Sequence, residues 1–198
     1  MGEKRRHGLI GQKLPAVGRG VPAAAAGGAP QHEAFERMWR QHRPRVWRLV
    51  ARLAGQVDPA DDLTQEVSLR AFQNFASFRG DALISTWLYR IAVNVVLRHR
   101  ERERREPIRA DAADLALLRA GETTDPEAVV LRGDLRPVVW AALERLPEEQ
   151  RTTLILQVYE GLKYREIAAV LDIPIGTVKS RLHHAAEQLR KELKAYAL

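Results

Sequence analysis

Apolar residues return at three- and four-residue steps along most of this chain. Phe35, Met38, Trp39, His42, Val46, Leu49, Val50 and Leu53 describe one long amphipathic helix from about His32 to Gly55. Asp58-Pro59 punctuates, and Leu63, Val67, Ala71, Phe75 and Phe78 carry a second helix. A glycine and the loss of period make Phe78 to Asp81 a loop. A third helix from about Ser85 turns Trp87, Leu88, Ile91, Ala92 and Val95 inward and runs into the charged segment RHRERERR. Beyond Asp125-Pro126, Leu131, Leu135, Val138 and Ala142 mark a further helix closed by Pro147. Another follows from Glu148 to Glu160, with Leu154, Ile155 and Val158 inward. No strand-like alternation and no internal repeat interrupts this pattern. The expectation is an all-α chain of two small helical domains.

Composition shifts set the boundaries. Residues 1–31 are rich in Gly, Pro and Ala and offer no face to bury, which predicts a disordered tail. A three-helix domain is expected over 32–105, a linker over 106–124, and a four-helix domain over 125–198.

The segment Tyr164 to Leu193 holds two helical patterns. Ile167, Ala168 and Leu171 belong to the first, and Val178, Leu182, Ala185, Leu189 and Leu193 to the second, joined through Asp172-Ile173-Pro174. This is a helix-turn-helix signature. Small Ala168 permits close approach, Ile173 plugs the turn, and Pro174 suits a turn or a first helical position. The second helix begins between Pro174 and Thr177. Its other face shows Lys179, Ser180, His183 and His184 near the N-terminal end, where a recognition helix enters a major groove. A helical hairpin with a solvated polar face is the plainer alternative.

Net charge is +7 and the sequence pI ≈ 10.1, which favours a polyanionic partner. No apolar run approaches the ~20 residues that span a bilayer, and the few apolar residues after Lys4, Arg5 and Arg6 make no export segment. With no cysteine, disulfides, thiolate metal sites and thiol catalysis are all excluded, which fits a cytoplasmic protein.

Two features of the first domain go beyond duplex binding. Asp61, Asp62, Gln65 and Glu66 open the second helix, where the helix dipole favours carboxylates. Dipole compensation alone explains Asp61 and Asp62. Glu66 extends the patch by one turn, and such a patch repels DNA, so a basic protein partner is the better match. The third helix interleaves Trp87, Tyr89, Arg90 and Asn94, with Arg98 and Arg100 further on, as single-strand binding surfaces do. Trp87 stands equally well at core spacing with Ile91. Tyr89, Arg90 and Asn94 fall off the apolar stripe, and the adjoining Phe78 to Ile84 loop is a candidate pocket for a base turned out of the duplex.

DDLTQEV, then FASFRGDALISTWLYRIAVNVVLRHRERERR, then LPEEQRTTLILQVYEGLKYREIAAVLDIPIGTVKSRLHHA resemble the two domains of bacterial extracytoplasmic-function sigma factors. The resemblance implies a dissociable initiation subunit of RNA polymerase, monomeric outside the holoenzyme, with neither cofactor nor enzymatic activity. It implies that Asp62, Gln65 and Glu66, with Asp61 beside them, dock on the coiled coil of the largest polymerase subunit. Phe78, Arg79, Gly80, Asp81 and Leu83 in the loop, and Trp87, Tyr89 and Asn94 on the helix, match the segment that captures the unpaired minus-ten strand. Arg90 and Arg98 extend that helix surface. Lys179, Ser180, His183 and His184 match positions facing the minus-thirty-five duplex; Thr177 adjoins them, and Arg151 and Arg165 are phosphate candidates. An anti-sigma protein is a partner by analogy alone. The long N-terminal tail departs from the family pattern, and His183-His184 falls where the family varies.

Two rivals compete. A stand-alone helix-turn-helix regulator explains the second domain but neither feature of the first. A metal-dependent nuclease on Asp61, Asp62 and Glu66 suffers because consecutive helical residues diverge by about 100°. His183 and His184 diverge likewise and lack the spacing of a zinc pair.

Overall fold

The computed structural model describes residues 29–55, 59–80, 83–105 and 136–194. Of the tail expected over 1–31, residues 1–28 lie outside them and 29–31 are helical; the linker over 106–124 and the helix start at Asp125 with Leu131 and Leu135 also lie outside. Seven helices and no strand stand among the described residues, in agreement with the all-α expectation.

Helix α1 runs Ala29–Ala54, three residues earlier than its apolar stripe suggests. Pro44 lies inside it with its ring exposed to solvent, where the missing amide hydrogen costs one intrahelical bond. The opposite stripe is intact: Phe35, Val46, Leu49, Val50 and Leu53 are all buried. Helix α2 is Ala60–Phe75, with Leu63, Val67, Ala71 and Phe75 inward as the spacing predicts, whereas Phe78, expected on the same helix, lies beyond its end. Helix α3, Ile84–Arg105, completes the first bundle with Trp87, Leu88, Ala92 and Val95. Burying Leu49 and Leu88 completely contributes ~1.5–3 kcal/mol each.

Four helices follow: α4 Arg136–Glu144, α5 Glu148–Val158, α6 Tyr164–Leu171 and α7 Ile175–Leu193. Ile155, Leu156, Ile167, Val178 and Leu182 bury the α5–α6–α7 side, and Leu143, Leu146 and Ala185 seat α4 on α7. Val158, expected inward, is 63% exposed. It closes α5 just before the chain turns at Gly161, so the apolar stripe has already rotated away, and Glu160 takes the inward place instead.

The joint between α6 and α7 is built from local bonds. The Lys163 backbone N–H donates to the Glu166 carboxylate at 2.7 Å, fixing the start of α6. Asp172 ends the helix in the left-handed region at φ 55, and the Ile173 N–H donates back to the Ala168 carbonyl at 3.1 Å. Helices commonly stop on such a residue, usually glycine; aspartate is among the few others that tolerate the conformation. Pro174 is extended and α7 begins on the next residue, within the span the sequence predicts.

The two bundles share one buried apolar cluster that runs from Phe35 in α1 to Leu182 in α7. Helix α6 lies against α3, and the end of α5 reaches α1.

Candidate functional site

Three surfaces carry the residues that the sequence singles out. The first is the start of α2. Asp61 is tied to α1: the Trp47 Nε1 donates to its carboxylate at 3.0 Å, and Arg43 stands 3.9 Å away. Glu66 pairs with Arg70 one turn on. Asp62 and Gln65 are exposed, and Asp62 has no ion pair among the described residues. Gln65 borders an open groove of ≈ 340 Å³ between α1 and α2, floored by Phe35 and Trp39 and walled by Leu69 and Phe72. Leu69 is 57% exposed. The result is an acidic helix start beside an apolar trough, a surface suited to a helix that presents both basic and apolar side chains.

The second surface is the loop after α2 together with α3. Phe78 packs on Trp87 with ring centroids 5.1 Å apart, so both rings are engaged with one another and Trp87 is buried. Gly80 takes φ 72, a conformation open to glycine at no steric cost. Arg79 and Leu83 are exposed; Asp81 lies outside the described residues. At ~100° per residue, α3 divides into two arcs. Trp87, Ile91, Asn94 and Arg98 fall on one, where Asn94 is exposed and Arg98 half-buried.

Tyr89, Arg90, Arg100 and Arg104 fall on the other, and there the expectation needs correction. Tyr89 and Arg90 are off the apolar stripe of the first bundle but do not face solvent; the second domain covers them. The Tyr89 hydroxyl donates to Glu160 at 2.8 Å, and Glu160 also takes the Arg52 guanidinium at 3.0 Å. Burial, then the hydrogen bond to Glu160 and its negative charge, push the Tyr89 hydroxyl well above its ordinary value. Arg90 pairs with Asp172 at 3.1 Å. Arg104 pairs with Glu148 at 3.0 Å, with Arg100 beside it at 3.8 Å. Arg52 also lies over the Tyr159 ring at 4.8 Å, and Trp140 stacks on that same ring with centroids 6.0 Å apart.

The third surface is the start of α7. Lys179, Ser180, His183 and His184 are exposed, and Thr177 is half-buried. The Ser180 hydroxyl donates to the Thr177 carbonyl at 3.0 Å. His183 and His184 both stand near Glu187, at 3.6 and 3.7 Å. Arg181, which the sequence reading passed over, pairs with Glu149 of α5 at 2.6 Å and holds the helix in its orientation. Arg165 is exposed on α6 beside this surface. Arg151 is not: it is buried at 6% exposure, next to Glu148, and so is withheld from phosphate in this arrangement.

Leu69 and Phe72 were also missed. Their signal was present, since both are large apolar residues off the stripe of Leu63, Val67, Ala71 and Phe75. No group of three metal-ligating side chains stands among the described residues, and no described helix is long and apolar enough to cross a membrane.

Residues 38–106 match the model of Sigma-70 region 2, and residues 137–189 that of Sigma-70 region 4. The RNA polymerase sigma-H factor of Pseudomonas aeruginosa is 34% identical over 167 residues, 81% of this chain and 86% of that protein. The ECF RNA polymerase sigma-E factor of Escherichia coli K12 is 35% identical over 168 residues, 82% and 87% of the two chains. Among solved structures, the sigma factor RpoE in complex with the anti-sigma factor NepR from Bartonella quintana superposes with a TM-score of 0.60, at 23% identity, over 82% of this chain and 98% of that one. CnrH in complex with the cytosolic domain of CnrY gives 0.57, at 24% identity, over 84% and 91%.

Proposed function

Since this chain belongs to the Sigma-70 family, within the extracytoplasmic-function RNA polymerase sigma factors, we propose a division of labour among its three surfaces. As a member it directs promoter-specific initiation by RNA polymerase, and the family is non-catalytic; it is not a stand-alone regulator. In our reading the first domain is residues 32–105 and the second 125–198. The start of α2, with Asp62 and Gln65 exposed and Glu66 behind them, docks on core polymerase, and Leu69 and Phe72 receive an apolar side chain of that partner. Asn94, Arg98, Arg79 and Leu83, joined by Tyr89 and Arg90 once uncovered, hold the melted minus-ten strand. Lys179, Ser180, His183 and His184 face the minus-thirty-five duplex, with Arg165 on its phosphates. The chain itself has no enzymatic activity and acts in the cytoplasm, where its polymerase is. The complex of RpoE with an anti-sigma factor extends the same proposal to regulation by a protein of that kind.

The observation that carries this reading is the juxtaposition on α2 of an exposed Asp62, with no ion pair among the described residues, and an apolar groove, on a chain whose α1, α3 and α7 are basic. Two weak DNA readers on one tether gain affinity only when something fixes their spacing, and core polymerase does so. Run-off transcription with purified core on a promoter library tests it. Wild type gives specific transcripts, and Asp62→Lys/Gln65→Ala, with its helical content intact, loses them along with comigration with core. Comigration that survives the double substitution would move the docking site elsewhere.

A further inference from the structure

Two imidazoles share one carboxylate on the open face of α7. His183 Nε2 stands 3.6 Å and His184 Nδ1 3.7 Å from the Glu187 carboxylate, and the two rings are 5.6 Å apart. At ~100° per residue these three lie on the side of the helix away from the buried Val178, Leu182 and Ala185, together with Ser180 and with Lys179 at the edge. The side chains of His183 and His184 are 69% and 62% exposed, and ion pairs so well solvated contribute little to a fold. Nor do the helices packed on α7 engage the rings. Arg145 of α4 is taken by Glu192 and Glu149 of α5 by Arg181. Glu144 of α4, Glu148 and Arg151 of α5, and Tyr164, Arg165 and Glu166 of α6 pair with neither ring among the described residues. Along α7 itself, Lys179, Arg190 and Lys191 are the other exposed charges.

The charge of this face therefore depends on protons. With both imidazoles neutral, Lys179 and Glu187 cancel; with both protonated, the same four side chains carry two positive charges in excess. We propose that His183, His184 and Glu187 form a proton-linked contact: the minus-thirty-five duplex is bound with both imidazoles charged, so recognition takes up protons, and Glu187 opposes binding until they arrive. The inference rests on the assignment of α7 to that duplex. An unperturbed imidazole changes its charge between about pH 5 and 8. A neighbouring phosphate favours the charged form, so the complex keeps its protons to higher pH than the free chain. The gain in affinity is complete below the range in which the free imidazoles titrate, and it is lost as pH rises through the range of the bound ones. Promoter occupancy then follows acidity.

Phosphate contacts carry this effect, so a fluorescent mixed-sequence DNA duplex serves as the probe, titrated with the full chain at about pH 6 and about pH 8 over a series of salt concentrations. Wild type should bind several-fold more tightly at the lower pH. Its log–log salt dependence should also steepen there, by about 0.9 for each imidazole that meets a phosphate. His183→Gln/His184→Gln, with its helical content intact at both pH values, should lose most of the pH difference and most of the steepening. Glu187→Gln should bind more tightly than wild type, and by a larger factor at the higher pH, where no imidazolium offsets the carboxylate. Equal pH responses in wild type and the histidine double variant overturn the proposal. So does a Glu187 variant that gains nothing at the higher pH. Lys179→Ala tells two failures apart: weakened binding beside a pH response that survives the histidine substitutions sinks the proton link alone, whereas binding unchanged at both pH values sinks the assignment of α7 as well.

Discussion

The hydroxyl of Tyr89 donates to the Glu160 carboxylate at 2.8 Å across 71 residues of chain, joining the second turn of α3 to the turn after α5. The bond has a pH signature. Tyr89 is held protonated above its ordinary value of 10.0, by burial first and by Glu160 second. A tyrosine whose folded value is raised contributes its stability in full below pH ~10 and loses it as pH rises further, since the unfolded chain releases the proton first. Urea unfolding across that range should show stability falling above pH ~10. Tyr89→Phe should flatten the slope relative to wild type, and parallel slopes in the two proteins would mean that Tyr89 titrates normally.

On the DNA side, Lys179→Ala should weaken binding of a minus-thirty-five duplex by the holoenzyme by roughly tenfold, the scale of one good contact of ~1–3 kcal/mol. Asn94→Ala should spare that binding and impair strand opening, visible as weakened permanganate reactivity of minus-ten thymines. Normal reactivity in the Asn94 variant would remove it from the strand-binding arc. Arg151→Ala is expected to act differently, lowering stability rather than the salt dependence of DNA binding, because its guanidinium is buried beside Glu148.

The continuous apolar cluster makes a third expectation. Ile155 is fully buried in the second domain, and Ile155→Ala should cost ~2–5 kcal/mol. Because the cluster includes residues of α1, α2 and α3, the loss should also lower the midpoint seen by tryptophan fluorescence, which reports mainly Trp39, Trp47 and Trp87 of the first domain. A tryptophan transition that stays at the wild-type midpoint would mean that the two bundles unfold independently.

Helix identity and inward faces were largely legible in the sequence, because a three-to-four-residue repeat states which side of a helix is buried. Val46, Leu49, Leu88 and Val178 all lie where that repeat puts them. What it cannot state is what lies against the polar side. Tyr89 and Arg90 fall off the repeat, which reads as exposure for a lone bundle; only the packing of a second domain 71 residues away makes them interior. Arg151 failed for the same reason, since a basic residue near a helix start reads as free until its neighbours are placed. The α2 groove was legible in principle through Leu69 and Phe72, two apolar residues on the wrong side of their helix.

The contact between the domains is also a neutralisation of charge. Four arginines on α1 and α3, Arg52, Arg90, Arg100 and Arg104, face three carboxylates on the second domain, Glu148, Glu160 and Asp172. These groups largely neutralise one another, and part of the protein's positive field is spent within itself. The chain's attraction for a polyanion is then carried mainly by basic residues outside this contact. Dissolved salt screens these pairs unevenly, least at the covered Glu160 and Arg90 and most at the exposed Arg104.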